Sequence, residues 1–171
     1  MSKVDWKALG EQEQAKLDEA SKRAELDAEK MRKVEATRAE VAESLSLMLK
    51  GKLAEISSAL KSAAGTYNSG VASQDLKLNF IDQSNGSKSV SLHRGLLSLV
   101  FKQEEKTIKK AIQRGHQDIK GTELTYGVSD QGELTIRNGA GLIEVETVVD
   151  SALQDFLRQK DQVQFGPIVG R

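Results

Sequence analysis

The first third of the chain constrains the fold most, because residues 5–64 contain no proline and consist largely of Ala, Glu, Lys, Arg and Leu. These residues have the highest helix propensities. Acids precede bases by four residues at Asp18–Lys22, Glu19–Arg23 and Glu29–Lys33, the orientation that stabilises a helix better. The stretch therefore predicts one long helix, or two helices placed end to end.

A thin apolar stripe runs along this predicted helix with coiled-coil spacing, interrupted by the polar residues Asp27 and Arg38. A lone helix of this kind is marginal in water, so we expect residues 1–50 to form a charged arm that pairs with another helix. The alternative is a partly disordered charged arm, and the direction of pairing is left open. The residues expected to face a partner or a second copy are Leu17, Ala24, Met31, Val34, Val41, Leu45 and Met48.

From Val41 to Ala64 the apolar face of the predicted helix widens enough to lie on a sheet or on other helices. Gly51 has two interpretations, a bend in the helix or a tolerated surface glycine. Gly65 occupies the place where a glycine commonly ends a helix, so residues 66–75 are predicted to be a loop.

Two later regions have the alternating pattern of β-hairpins. Residues 76–80 alternate, Asn85-Gly86 favours a tight turn, and Val90 begins a return strand. A strict two-residue turn would pair Ile81 with Val90, and a longer loop is the alternative. Residues 124–128 and 134–136 form the second predicted hairpin.

Residues 95–114 can be interpreted as strand or helix. Residues 95–101 remain undecided, whereas the helix formers in 103–113 favour a helix that ends near Gly115. A last helix is predicted from Leu142 to Lys160. The predicted fold class is α+β: a long, coiled-coil-like N-terminal helix, then a small domain with two antiparallel hairpins and two helices (α-ββ-α-ββ-α). The predicted divisions are an arm (1–50), a globular domain (51–160) and an extended tail (161–171).

The composition excludes several classes of protein. The chain has no cysteine, which excludes disulfides, thiolate metal sites and cysteine nucleophiles. No run of 18 apolar residues exists, and the first ten residues lack the apolar segment of a secretory signal. These features predict a cytoplasmic protein without a membrane partner, metal or other cofactor.

The net charge is zero overall, but its distribution is uneven. Residues 66–120 carry nine basic and five acidic side chains, and residues 121–171 carry four and eight. Such asymmetry can complement itself within the fold or mark a binding face. If residues 103–113 are helical, one face can hold four of the basic side chains of 102–120, Lys102, Lys106, Lys109 and Lys110, and such a strip suits phosphate contact. The candidate nucleic-acid contacts are Lys102, Lys106, Lys109, Lys110, Arg114 and Lys120.

No motif indicates catalysis. His93 and His116 lack the spacing of a zinc-binding helix, and ordinary surface histidines are the expected interpretation. Asn138 to Gly141 lies between a predicted strand and helix, where glycines can cradle phosphate, but no lysine follows as in a P-loop. A plain turn is therefore expected there, and no catalytic residue is predicted.

The sequence as a whole predicts a non-enzymatic interaction or adaptor protein, with a protein partner, a homo-oligomer or both. Burial of the Val41–Leu60 face and attraction between the 102–120 and 121–161 segments would hold it together. A nucleic-acid-binding accessory protein that uses the basic 102–120 segment is the alternative function.

Overall fold

The computed structural model describes residues 6–136 and 141–164, and the side chains as far as residue 159. A single helix, α1, spans Trp6–Ser69. The chain divides into two compact units, Met1–Glu43 and Ser44–Arg171. The first unit is the N-terminal part of α1, and the second holds the remainder of α1, a β-sheet and a second helix, α2 (Val145–Gln164).

α1 continues through both of its later glycines. Gly51 is an exposed position within the helix. The predicted end at Gly65 is wrong, because α1 extends one further turn, in which the half-buried Tyr67 packs against the core. In the same turn, the Asn68 side chain accepts a hydrogen bond of 2.8 Å from the backbone N–H of Leu78 and donates one of 2.9 Å to its carbonyl oxygen. Tertiary contacts thus extend the helix past a residue that usually ends one.

Among the described residues, seven strands follow α1 and form one antiparallel sheet. A short 3-10 turn, Gln74–Leu76, precedes them. The strands are β1 (Asn79–Gln83), β2 (Ser89–Arg94), β3 (Leu97–Gln103), β4 (Ile108–Arg114), β5 (Gln117–Asp118), β6 (Leu124–Val128) and β7 (Leu134–Ile136). Their order across the sheet is β1-β2-β3-β4-β6-β7, with β5 paired to β4. The α+β class is confirmed.

The predicted helix over residues 103–113 is wrong, and so is the α-ββ-α-ββ-α order. Residues 95–101, which the sequence left undecided, lie mostly in β3, and β4 returns beside it. Leu99 pairs with Ile112, and Gln103 pairs with Ile108. The good helix formers Gln-Glu-Glu-Lys therefore end β3 and form its turn to β4, because pairing with the sheet outweighs local propensity.

The first hairpin has the longer of the two predicted connections. Asp82 pairs with Val90 and Ile81 pairs with Ser91, so the strict two-residue register is wrong. Lys88 precedes β2 with a positive φ of 54°, a conformation that non-glycine residues seldom adopt. The second hairpin is confirmed, with Val128 opposite Leu134.

The hydrophobic core lies on one face of the sheet. Leu92, Leu99 and Ile112 occupy one row across three strands, and all are fully buried. The later part of α1 and one side of α2 complete the same cluster, through Leu49, Leu53, Ile56 and Leu60 of α1 and Val148, Val149, Ala152 and Phe156 of α2. The apolar face predicted for Val41–Ala64 is therefore confirmed as core from Leu49 onwards, whereas Val41 is exposed.

α2 starts three residues after the predicted helix start and runs to Gln164. Leu142 precedes it and forms an isolated bridge with Thr135. The part of the predicted tail at 165–171 lies outside the described residues, as does most of the glycine-containing turn, at 137–140.

Candidate functional site

The predicted stripe on α1 is exposed along its whole length in the first unit. Leu17, Met31 and Val41 expose 65 %, 60 % and 63 % of their surface, and Ala24 and Val34 are exposed as well. Leucine, methionine and valine side chains are among those most often buried. Their exposure in a row forms an apolar seam that the described residues of this unit leave uncovered.

The last two stripe residues, Leu45 and Met48, belong to the second unit. Both are half-buried, and Leu45 packs against the hydrophobic core. The predicted set of seven is therefore divided into five exposed residues and two half-buried ones.

Charged side chains on the arm bond along the helix. Glu19 accepts a bond of 2.8 Å from Arg23, and Glu29 lies 2.7 Å from Lys33, as predicted. Asp18 instead accepts from Gln14 at 2.9 Å. Such exposed pairs contribute only about 0.3–0.5 kcal/mol each, so they support the helix without accounting for the exposed stripe.

Sequence reasoning missed other exposed apolar side chains on the same helix. Trp6 is 78 % exposed and lies a multiple of seven residues before Ala20 and Val34, so it shares their heptad position. Counting the heptad backwards from Ala20 would have found it. The other large apolar side chains exposed along the described part of this helix are Leu9, Leu26 and Leu47.

The basic side chains of 102–120 do not share a surface. Lys102 and Lys109 are cross-strand partners, but Lys110 points to the opposite, core side of the sheet. Lys106 lies in the β3–β4 turn and Arg114 at the far end of β4. The predicted common helical face is wrong because a strand sends successive side chains to opposite faces. Lys120, which follows β5, is exposed.

Two of these lysines are already neutralised within the fold. Lys109 donates to Asp118 Oδ2 at 2.6 Å, and Lys110 donates to Asp155 Oδ2 at 3.2 Å. The Lys109 ammonium and the Gln113 amide hold the pKa of Asp118 below its usual value, and Asp118 raises the pKa of Lys109. Lys110–Asp155 joins the predicted basic and acidic segments.

Neither histidine completes a catalytic arrangement among the described residues. His93 Nε2 lies 2.8 Å from Ser91 Oγ on the sheet face away from the core, and no carboxylate is bonded to this pair. A nucleophile and its base need a third group that orients the base. His116 is exposed in the turn between β4 and β5.

A groove of about 1500 Å³ separates the later part of α1 from the start of α2. Its lining carries one lysine and five carboxylates: Lys52, Glu55, Glu133, Glu144, Glu146 and Asp150. Lys52 is bonded to Glu55 at 2.6 Å. The groove is otherwise lined mainly by small or aliphatic side chains, including Ala59, Ala63 and Val149, and no histidine is among its described lining residues.

Within the described ranges, no three His, Asp or Glu side chains converge in a way that could hold a metal ion. None of the described helices combines the length and apolar character that crossing a bilayer requires. Comparison with protein-family models, with curated proteins and with solved structures finds no match to this chain.

Proposed function

We propose that this chain is a non-enzymatic assembly protein that associates through the exposed apolar stripe of its N-terminal arm. The single observation that carries the proposal is the exposure of Leu17, Met31, Val34 and Val41 in one seam of a continuous helix. Burying such side chains against a second helix is favourable by about 25 cal/mol per Å² of apolar surface.

The spacing of the stripe supports a helical partner over an irregular one. Leu17, Ala24 and Met31 are seven residues apart, and so are Val34 and Val41. A seven-residue repeat keeps a seam facing one partner helix over several turns. The charged side chains that bond along the helix, such as Glu29 and Lys33, lie on the face away from this seam and stay in water.

The experiment compares two full-length double variants by light scattering coupled to size exclusion. Met31→Lys with Val41→Lys places two ammonium groups in the seam, and we expect it to convert an oligomer into a monomer. Ala15→Lys with Ala36→Lys makes the same charge change at exposed positions away from the seam, and we expect it to leave the oligomer intact.

Circular dichroism of both variants checks that the helical content is retained. A protein that is monomeric at every concentration before any substitution would refute self-association through the arm. Equal effects of the two double variants would show that added charge alone, and not the seam, changes assembly.

A further inference from the structure

The two polar interruptions of the stripe specify the direction in which two arms pair. From their positions we infer that the occupant of the seam is the arm of a second copy, running antiparallel, with residue 27 of one chain opposite residue 38 of the other. The inference rests on the proposed function and adds to it a partner, a direction and a register.

In this register every seam layer between residues 24 and 41 is complementary. Ala24 faces Val41, Met31 faces Val34, and Asp27 faces Arg38. The two-fold symmetry of such a pair repeats each layer, so two Asp–Arg contacts form. An aspartate and an arginine can form charge-assisted hydrogen bonds, which satisfies both polar groups inside the seam.

The structure leaves both polar side chains available for this contact. Among the described residues, no carboxylate of the same chain lies within ion-pair distance of Arg38, and Asp27 has only a 3.8 Å approach from Lys30. Both Asp27 and Lys30 are largely exposed in that approach. α1 is uninterrupted from Trp6 to Ser69, so the heptad register carries through the whole seam without a break.

A parallel pair in register would instead place like charges together. Asp27 would face Asp27 and Arg38 would face Arg38, and like charges in contact at an interface cost several kcal/mol. The parallel arrangement does gain contacts between Lys30 and Glu35 of the other chain at the flanks. Such exposed pairs contribute only about 0.2–1 kcal/mol each, so the seam layers decide the direction.

Neighbouring antiparallel registers fail for a similar reason. A shift by one heptad in one direction sets Asp27 opposite Met31, and a shift in the other direction sets Arg38 opposite Val34. Each shifted register places a charged side chain against an apolar one, which is unfavourable because the charge then has no partner. Only the 27-to-38 register pairs both charges with each other.

The absence of cysteine from the chain allows a direct test by disulfide formation. Two full-length single-cysteine variants, Ala24→Cys and Val41→Cys, are oxidised alone and as an equimolar mixture, then separated on a non-reducing gel. In the antiparallel pair, residue 24 faces residue 41 of the other copy. Two copies of residue 24 lie about 25 Å apart along the helix axis, far beyond the roughly 7 Å that a disulfide spans.

We expect a covalent dimer from the mixture and none from either variant alone. Cross-linking of each variant by itself would establish parallel pairing and overturn the inference. An oligomer that cross-links in none of the three samples would overturn it too, while leaving the proposed function standing. A protein that never self-associates would refute the proposed function and the inference together.

A charge exchange gives a second, independent readout in the dimer dissociation constant. Asp27→Arg sets two arginines against each other, so we expect dissociation to become easier by about tenfold or more. Adding Arg38→Asp in the same chain restores the complementary pair and should restore the affinity. Glu25→Arg, which makes the same charge change away from the seam, should have little effect. Failure of the double variant to recover affinity would contradict the 27-to-38 register.

Discussion

Lys110 Nζ lies 3.2 Å from Asp155 Oδ2, and this ion pair joins the middle of the sheet to α2. The two side chains differ greatly in their access to water, because Lys110 is 2 % exposed and Asp155 is 43 % exposed. The buried ammonium therefore depends on one carboxylate that is itself partly hydrated. Breaking such a pair from the carboxylate side leaves a charge without compensation in the interior.

Asp155→Ala should lower the free energy of unfolding by about 1–3 kcal/mol. Loss of one partner of a fully buried pair costs about 3–5 kcal/mol, and the partial exposure of Asp155 reduces that figure. Lys110→Met should lower the free energy of unfolding by far less, because it removes the buried charge and keeps an apolar side chain of similar length. Urea unfolding followed by circular dichroism measures both.

The matched control is Asp150→Ala, which removes an exposed carboxylate from the same helix without breaking an ion pair of the described residues. We expect a change within about 0.5 kcal/mol for it, as for ordinary surface positions. If Lys110→Met destabilised the protein more than Asp155→Ala, the ammonium group would stabilise the fold through more than its bond to Asp155, which would contradict this account.

The same lysine explains why the sequence predicted a helix where β4 lies. A half-buried strand should alternate apolar and polar residues, but the core face of β4 reads Ile108, Lys110 and Ile112. With a charged residue at the central core position, the apolar residues fall at 108, 111 and 112, which is helical spacing. The partner that makes this lysine acceptable, Asp155, is 45 residues away, so no local pattern could reveal the strand.

Other elements were predictable because their signals are local. The first helix has strong propensity over many turns, and the 124–136 hairpin alternates on both sides of a short turn. The exposed seam was also predictable, since Leu17, Met31 and Val41 keep heptad spacing. By contrast, the division of the stripe at Leu45 depends on contacts with the sheet, which spacing does not encode.

The Lys109–Asp118 pair predicts how stability depends on pH at both extremes. The pKa of Asp118 lies below its usual 3.8, so this contribution is present above pH 3.8 and is lost as the pH falls through the folded-state pKa. The pKa of Lys109 lies above its usual 10.5, so its contribution is present below pH 10.5 and is lost as the pH rises further. Asp118→Asn should therefore weaken the dependence of the melting temperature on pH at both the acid and the alkaline extreme.

In the Asp118→Asn variant, the dependence of the melting temperature on pH in the acid range should be reduced and not abolished. The Ser57 hydroxyl, and then Ser84, hold the pKa of Asp82 below its usual value, so Asp82 contributes in the same acid window. Asp130→Asn, at an exposed turn, serves as the control and should follow the unmodified protein. An unchanged pH profile for Asp118→Asn would show that the pair does not form in solution.

Tyr126 predicts a second alkaline transition that can be observed directly. Burial, and then the negative charge of Asp155, raises the pKa of the Tyr126 phenol from 10.0 to about 12. Because the unfolded chain ionises first, stability is present below pH 10 and is lost as the pH rises towards 12. Ultraviolet titration should show a tyrosine ionisation step near pH 12, and Tyr126→Phe should remove that step.

A comparison of two aliphatic side chains on α1, one buried and one exposed, distinguishes the part of this helix that stabilises the fold from its exposed arm. Leu53 is fully buried against the sheet, so Leu53→Ala should lower the free energy of unfolding by about 2–5 kcal/mol. Val41→Ala, in the exposed seam, should change it by no more than about 0.5 kcal/mol in the monomer. Denaturant unfolding at low protein concentration measures both values. A large loss for Val41→Ala that persists on dilution would mean that the seam is covered within its own chain, which is incompatible with its use for association.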